Sequence, residues 1–303
     1  MTETLQLLIL AAVFAAPPVA ASAAANCGSD KLGTAREIEI NGGAGLSVGL
    51  QSYPRSLDLK DHEVVLTFDD GPAEPTPQIL EALKRECVQA TFFLIGKNAK
   101  ETPHLVKREI EEGHTVGYHS MTHPDRTLRL MSLGEAKADI DAGIAAVNAA
   151  AFGKAGEPPQ PFFRFPGFAD TPELLKYVHD RGMAVFGSDV WASDWRKMTP
   201  QEELKLVLER LEKEKKGIVL FHDNKPVTAE MLPDFLRALK ERGFKVVHLV
   251  AGSGETPVAE AGAGWKSTTA PIVEKILKAK QREKHKAEAH EKAAPEKEQR
   301  EGM

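Results

Sequence analysis

The run Glu63-Val64-Val65-Leu66-Thr67-Phe68 leads directly into Asp69-Asp70-Gly71-Pro72. β-Branched and apolar side chains dominate the first part, and the Gly-Pro pair ends it, so the pattern predicts a buried strand followed by a turn. The strand would deliver both aspartates to a loop at its carboxyl end. One carboxylate of such a pair can bind a cation while the other stays free as a base.

Further strand-like runs alternate with helical ones along the chain, which is a βα repeat. The helices include residues 76–86 and 199–215, and Thr199-Pro200-Gln201-Glu202 has the pattern of a helix N-cap. The predicted strands cover residues 64–68, 91–95, 115–118, 162–165, 184–187, 218–221 and 245–249. Such alternation indicates an α/β fold with a parallel sheet or barrel, whose sites gather at the carboxyl ends of the strands. The pattern alone also allows a doubly wound sheet.

Candidate metal ligands lie about fifty residues after the aspartates, in His119-Ser120-Met121-Thr122-His123. Two histidines at i and i+4 converge if the backbone there is helical or tightly turned. Two imidazoles with one carboxylate are a ligand set that suits zinc. The alternative is that Asp-Asp-Gly is an ordinary turn and that the two histidines are incidental.

Three more motifs follow, each after a β-like run: Arg164-Phe165-Pro166-Gly167, then residues 188–195 (SDVWASDW), then Leu220-Phe221-His222-Asp223. With these five motifs in this order, residues 60–250 resemble the polysaccharide deacetylases, the family 4 carbohydrate esterases that share the NodB homology domain. The resemblance implies an irregular (β/α) barrel of about seven parallel strands.

The resemblance also implies roles for individual residues. Asp69 would be the general base, and His222 the general acid that protonates the departing amine. Arg164 would orient Asp69 and keep it ionised. The resemblance implies that Asp70, His119 and His123 are ligands of a divalent metal, and the chemistry of these side chains favours zinc.

The implied pocket for the acetyl methyl group is walled by Trp195 and Leu220, with a backbone N–H near Gly167 stabilising the oxyanion. Gly167 stands where the family usually has Tyr, which predicts a more open wall. Trp191 stands where many members have an acidic residue, so it either offers a second aromatic surface to a sugar or packs in the core. The sequence does not show which of two carboxylates, Asp189 or Asp194, adjusts the pKa of His222.

The reaction expected from this resemblance is metal-dependent hydrolysis of N-acetyl groups on a glycan that contains N-acetylglucosamine, peptidoglycan or chitin-like, to free amine and acetate. An O-acetyl esterase of the xylan type stays open as an alternative. So do a hydrolase of a small non-peptide amide on the same fold, and an inactive carbohydrate-binding module.

Composition fits one catalytic domain with appendages. The apolar fraction of 42% over 303 residues is enough for a sizeable core. The net charge of −5 shows no excess of basic side chains, so nucleic acid is not an expected partner. The acetylated glycan is the expected partner, and the chain is expected to be monomeric.

The N-terminal residues 1–25 have the shape of a secretory signal, with an apolar run over residues 5–16 and an Ala-x-Ala site at Ala23 and Ala25. The run is short for a spanning helix, which needs about 20 residues, so no stable membrane span is expected. The first four residues carry Glu3 and no basic side chain, which a misassigned start codon would explain. The expected location is secreted or periplasmic.

The two cysteines, Cys27 and Cys87, can pair in an oxidising compartment and pin the N-terminal segment to the domain. The alternative is that both are free and buried. The division expected from these patterns is a tethered segment over residues 26–60, a catalytic domain over 61–251, and a tail over 252–303. The tail is rich in Lys, Glu and Ala, which predicts disorder or an exposed helix.

Overall fold

The computed structural model describes residues 28–124, 127–154, 160–283 and 286. Ten strands of this part of the chain form one sheet, and every ladder within it is parallel. These strands are β1 (Thr34–Ile40), β2 (Ser47–Val48), β4 (Glu63–Asp69), β5 (Thr91–Leu94), β6 (Thr115–Tyr118), β7 (Phe162–Phe163), β8 (Ala184–Phe186), β9 (Val190–Trp191), β10 (Gly217–His222) and β11 (Lys245–Ala251). A separate antiparallel pair joins β3 (Arg55–Leu57) to β12 (Val258–Glu260).

Seven helices lie between the strands: α1 (Thr76–Arg85), α2 (Gly96–Glu101), α3 (Pro103–Glu111), α4 (Leu133–Phe152), α5 (Pro172–His179), α6 (Pro200–Glu214) and α7 (Pro226–Glu241). The predicted N-cap of α6 is present, because the Thr199 hydroxyl accepts from the backbone N–H of Glu202 and the Glu202 carboxylate accepts from that of Thr199. Within the described residues, no helix combines the length and the apolar character that crossing a bilayer requires.

The sheet branches at β4, which pairs along its whole length with β10 on one side. On its other side β4 pairs with β11 at its start and with β5 at its end. The order then continues from β5 through β6 and β7 to β8, and β10 pairs with β9. The result is the (β/α) barrel of the NodB type, and each of the seven predicted strands is found in it. The doubly wound alternative is therefore excluded.

Alternation along the strands separates two cores. On β4, the side chains of Val64, Leu66 and Phe68 face outward and pack against the helices. Val65 faces inward and packs with Phe93 and other barrel residues. Thr67 and Asp69 share this inward face, so the end of β4 points a buried carboxylate into the barrel mouth.

Residues near both ends of the described chain take part in its sheets. In the described part of the predicted N-terminal segment, β1 extends the main sheet beside β11, and β2 pairs with β8. Residues 252–283 are ordered, since β12 pairs with β3 and residues 269–283 are helical, with Val273 buried. Most residues of 269–283 are exposed, so the predicted alternative of an exposed helix fits this stretch. The predicted signal segment and Cys27 lie outside the described residues.

Candidate active site

Asp69 is the last residue of β4, and its side chain is buried. One carboxylate oxygen, Oδ1, accepts a hydrogen bond of 2.7 Å from Arg164, while Oδ2 lies 3.8 Å from Nε2 of His119. Burial raises the pKa of Asp69 above its usual range, and the charge of Arg164 opposes this rise without cancelling it. The carboxylate is therefore a stronger base than a solvated aspartate, with one oxygen free to face the barrel mouth.

Arg164 has no exposed surface and follows β7 directly. Its guanidinium donates to Asp69, to the Thr67 hydroxyl at 2.9 Å, and to the backbone carbonyls of Phe186 (3.1 Å) and Gly187 (2.7 Å). The Phe93 ring covers the guanidinium, with its centroid 4.3 Å from the central carbon. These contacts leave Arg164 one position, so it holds Asp69 in place as the resemblance implies.

The three predicted metal ligands converge. Oδ1 of Asp70 lies 3.5 Å from Nε2 of His119 and 3.5 Å from Nε2 of His123. One ligand atom from each of the three residues lies within 4.8 Å of the other two. The backbone that achieves this is not helical, since Asp70 and His123 both have positive φ, 74° and 46°. Tight turns therefore bring the i and i+4 histidines together.

The chemistry of these donors fits a divalent cation. Oδ1 of Asp70 is buried and has no hydrogen-bond partner among the described residues. Nδ1 of His119 lies 2.7 Å from the backbone carbonyl of Arg164, so this nitrogen carries the proton and Nε2 presents a lone pair to Asp70. Burial lowers the pKa of His119 to about 3, which keeps the imidazole neutral. Two imidazoles and a carboxylate are ligands that zinc accepts.

His222 ends β10 and forms an ion pair with Asp194. Its Nδ1 lies 2.7 Å from Oδ1 of Asp194, and its backbone N–H donates to Oδ2 at 2.7 Å. Burial by itself would lower the pKa of His222, but Asp194, together with the charges of Asp70 and Asp69, raises it to about 9. The imidazole is therefore protonated at neutral pH, and Nε2–H is the proton it can give away.

Of the two carboxylates that could adjust the pKa of His222, Asp194 is the one that contacts it. Asp189 lies elsewhere: its carboxylate accepts from the backbone N–H groups of Leu50 and Ile218 and from the Ser56 hydroxyl. The side chain of Asp189 thus ties the loop after β2 to β3 and to the start of β10. Both aspartates lie within residues 188–195, so the sequence alone does not show which of them contacts His222. The path of the backbone decides it.

An aromatic wall flanks His222. Trp195 is 48% exposed and meets the imidazole edge to face, with ring centroids 5.7 Å apart. Trp191 meets Trp195 at 5.8 Å and stacks on Phe168 at 6.3 Å, so Trp191 is half-buried within the wall. Leu220 is buried on the same face of β10 as His222. The exposed ring of Trp195 therefore lies directly beside His222.

Gly167 leaves open space beside the aromatic wall. It is exposed, and no described atom lies within 4 Å of the position that a Cβ would take. Its φ of 59° and that of 55° at Phe168 turn the chain so that the Phe168 ring lies against Trp191. Phe168 is thus the aromatic residue nearest to the position where the family usually has Tyr.

Several residues that support the site were missed from the sequence. Nδ2 of Asn98 donates to the backbone carbonyl of Asp70 at 2.8 Å, and Nδ2 of Asn224 donates to Oδ2 of Asp70 at 3.3 Å. Asp223 packs against Gly71 so closely that a Cβ on the glycine would stand 1.9 Å from the Asp223 carboxylate. Asn224 follows the His222 motif directly, which is a usable signal, whereas Asn98 has none.

Comparison with known proteins agrees with this geometry. Residues 56–186 match the polysaccharide deacetylase family. The chain is 35% identical over 203 residues to a peptidoglycan-N-acetylglucosamine deacetylase of Bacillus cereus, covering 64% of this chain and 72% of that protein. It is 33% identical over 210 residues to the peptidoglycan-N-acetylglucosamine deacetylase PgdA of Listeria monocytogenes, covering 69% of this chain and 42% of that protein.

A solved structure, the peptidoglycan deacetylase Bd3279 of Bdellovibrio bacteriovorus, superposes with a TM-score of 0.64 at 31% identity. The match covers 74% of this chain and 61% of that one, so the chain spans only part of two of these three relatives. The chain belongs to the polysaccharide deacetylase family, the family 4 carbohydrate esterases with the NodB homology domain. It is a hydrolase of the class that acts on carbon–nitrogen bonds other than peptide bonds.

Proposed function

We propose that this protein is an exported, metal-dependent deacetylase that removes N-acetyl groups from a glycan containing N-acetylglucosamine and releases acetate and a free amine. The observation that carries the proposal is the pairing of Asp69 and His222 as direct neighbours across the β4–β10 ladder. A buried carboxylate and a protonated imidazole thus stand side by side, next to the cluster of Asp70, His119 and His123.

A divalent metal, zinc by the choice of ligands, would be held by Asp70, His119 and His123. When bound, it supplies Lewis acidity to the acetyl carbonyl and to water. The unpartnered oxygen of Asp70 and the free Nε2 of His119 support this assignment.

Asp69 acts as the general base. Oδ2 faces the ligand cluster, whereas Oδ1 is fixed by Arg164, so Oδ2 is the atom that receives the proton of the attacking water. The raised pKa of the buried carboxyl makes it a better base, and Arg164 keeps it ionised before the reaction.

His222 acts as the general acid. An amine is a poor leaving group until it is protonated, and the imidazolium held by Asp194 supplies that proton from Nε2. The backbone N–H of Gly167 is the proposed donor to the oxyanion, the kind of contribution that usually has the largest share in acyl transfer.

For the glycan, N-acetylglucosamine in peptidoglycan is the leading candidate. The Bacillus and Listeria relatives are named as deacetylases of this sugar in this polymer. Trp195 offers an exposed ring beside the acid, a surface on which a pyranose can stack, and the open side at Gly167 leaves room for a polymer. Both features favour a glycan over a small amide.

The test is acetate release by the purified protein from a panel of peptidoglycan, chitin oligomers, acetylated xylan and small N-acetyl amides. Each reaction is run as purified, with a chelator, and with zinc added back, and Asp69→Asn is the matched variant of nearly equal volume. Release from peptidoglycan that is lost with chelator, restored by zinc and absent in Asp69→Asn supports the proposal.

Other outcomes select the alternatives. Release from acetylated xylan alone would identify an O-acetyl esterase, and release from small amides alone would identify an amidase on this fold. Glycan binding without any release, with zinc bound, would identify a carbohydrate-binding module and would overturn the proposed activity.

Export, the Cys27–Cys87 disulfide and the catalytic domain boundaries remain part of the proposal. N-terminal sequencing of the protein recovered outside the cytoplasm tests the cleavage after Ala25. A mass difference on reduction and alkylation of the same material tests the disulfide.

A further inference from the structure

A second buried carboxyl lies behind the His222–Asp194 pair. Glu203, on α6, has no exposed surface. It reaches Asp194 through one hydroxyl, that of Thr228 on α7, whose Oγ1 lies 2.8 Å from Oδ2 of Asp194 and 3.2 Å from Oε1 of Glu203. The four residues form a chain from Glu203 through Thr228 and Asp194 to His222.

The protons in this chain can be counted. A threonine hydroxyl has one hydrogen to donate and two lone pairs to accept. Asp194 already accepts from the backbone N–H and from Nδ1 of His222, as an ionised carboxylate does. If Thr228 donates to Asp194, its contact with Glu203 is attractive only when Glu203 carries a proton and donates it to Thr228. Two ionised carboxylates would compete for a single hydrogen.

The surroundings of Glu203 favour the protonated form. Oε2 of Glu203 is buried and has no hydrogen-bond partner among the described residues, which is costly for a charged oxygen and tolerable for the carbonyl of a neutral acid. Burial, and then the negative charge of Asp194, raise the pKa of Glu203 to about 8. The titratable groups that face Glu203 are Asp194 and His222.

We infer that Glu203 and Thr228 are positioning residues for the general acid: Glu203 is a neutral carboxylic acid that donates to Thr228, and Thr228 donates to Asp194. The inference rests on the proposed function, in which His222 gives its proton to the amine. It explains why a second carboxyl can lie so near without a second charge. An ionised Glu203 would hold the imidazolium proton more tightly and make His222 a poorer acid.

The test is an NMR titration of the His222 imidazole in the purified full-length protein, with the signal assigned by its loss in His222→Gln. Glu203→Gln keeps a neutral donor of the same shape. If Glu203 is neutral, this variant leaves the His222 pKa within about 0.3 of the wild-type value. If Glu203 is ionised, the variant removes a charge and the His222 pKa falls by about 1 or more, which would overturn the inference.

Thr228→Val tests the link. Without the Thr228 hydroxyl, the negative charge of Asp194 loses one hydrogen-bond donor and attracts the imidazolium proton more strongly. The pKa of His222 therefore rises, and kcat falls about tenfold with KM nearly unchanged. Thr228→Ser restores both values because it restores the hydroxyl. Thr228→Val with the wild-type pKa and kcat, or Thr228→Ser as impaired as Thr228→Val, would overturn the inference. Glu209→Gln, an exposed change on the same helix, is the matched control.

The two arms separate this inference from the proposed function. The titration needs no substrate, so it reports the protonation of the chain even if the protein releases no acetate from any glycan. Thermal unfolding of each variant identifies those that do not fold, and the near-isosteric Glu203→Gln and Thr228→Ser keep the test decisive.

Discussion

The two halves of the site are built in opposite ways. On the acid side, Asp194 accepts three hydrogen bonds, from the backbone and side chain of His222 and from Thr228, so its charge is matched by donors within the protein. On the ligand side, no described residue donates a hydrogen bond to the buried Oδ1 of Asp70, and Nε2 of His119 and Nε2 of His123 each lie 3.5 Å from it.

The two halves differ in how far the protein itself matches their charges. On the acid side, the charge of Asp194 is matched by the imidazolium of His222 and by three hydrogen-bond donors. The ligand side has a buried carboxylate oxygen and a neutral imidazole aimed at one point, and backbone with positive φ at Asp70 and His123 holds them there. A divalent cation held there, as proposed, would supply a positive charge to the buried carboxylate.

The largest effect is expected from breaking the ligand side. Asp70→Ala removes the carboxylate ligand, so the purified variant should hold less than one-tenth of the wild-type metal. The rate of acetate release should fall by about 10³-fold or more, because the Lewis acid contributes several kcal/mol. Metal content by mass spectrometry and acetate release on peptidoglycan measure the two effects. The exposed change Asp234→Asn should leave both unchanged, and full metal content in Asp70→Ala would refute the ligand assignment.

Asp69→Asn should lower kcat by about 10²- to 10³-fold while the metal stays bound, because it removes the base and no ligand. Acetate release and metal content, measured on the same preparation, separate this variant from Asp70→Ala. Parallel loss of metal and activity in Asp69→Asn would place Asp69 among the ligands and end the contrast between base and ligand.

On the acid side, the alkaline limb of the kcat profile should fall near pH 9, because His222 must be protonated to act as an acid and loses its proton as pH rises through its raised pKa of about 9. Asp194→Asn removes the charge that raises this pKa, while burial still lowers it. The limb should therefore move below the ordinary value for histidine, about 6.5, and kcat at neutral pH should fall by about 30-fold. An alkaline limb that stays in place in Asp194→Asn would show that His222 is not the titrating acid.

The smallest effect is expected at the aromatic wall. Trp195→Ala should raise KM for the glycan about two- to tenfold with little change in kcat, because stacking of the ring on a sugar contributes about 0.5–1.5 kcal/mol. Steady-state kinetics on a defined oligosaccharide provide the measurement. Phe152→Ala, an exposed aromatic at the end of α4, is the control. A fall in kcat alone would show that Trp195 supports His222 rather than the substrate.

Local patterns were sufficient for most of the barrel. The strand at residues 63–69 was readable because β-branched residues fill it and Gly71-Pro72 ends it, and the capping box at Thr199 marked the start of α6. The ends of the chain were harder. The strand at residues 34–40 alternates polar and apolar side chains, and it is fixed by pairing with β11, which lies more than two hundred residues later.

The site, like the barrel, was predictable where local patterns specify it and not where distant contacts do. Its residues could be nominated from short motifs, because each motif follows a strand and parallel strands deliver their carboxyl ends to one edge. The choice between Asp189 and Asp194 could not be made, since both lie within the same eight-residue motif. Asn98 and Thr228 could not be nominated at all, because their contacts to Asp70 and Asp194 span 28 and 34 residues.

Sequence patterns were enough to predict the βα order, the strand ends that present Asp69, His119, Arg164 and His222, and, by resemblance, membership of the deacetylase family. These are local properties of hydrophobic patterning and turn chemistry, which act over a few residues. Only the folded arrangement shows which carboxylate raises the pKa of His222, which oxygen of Asp70 lacks a donor among the described residues, and where Glu203 is buried. Those depend on distances between residues far apart in the chain, and electrostatics acts through distance and burial rather than through order in the sequence.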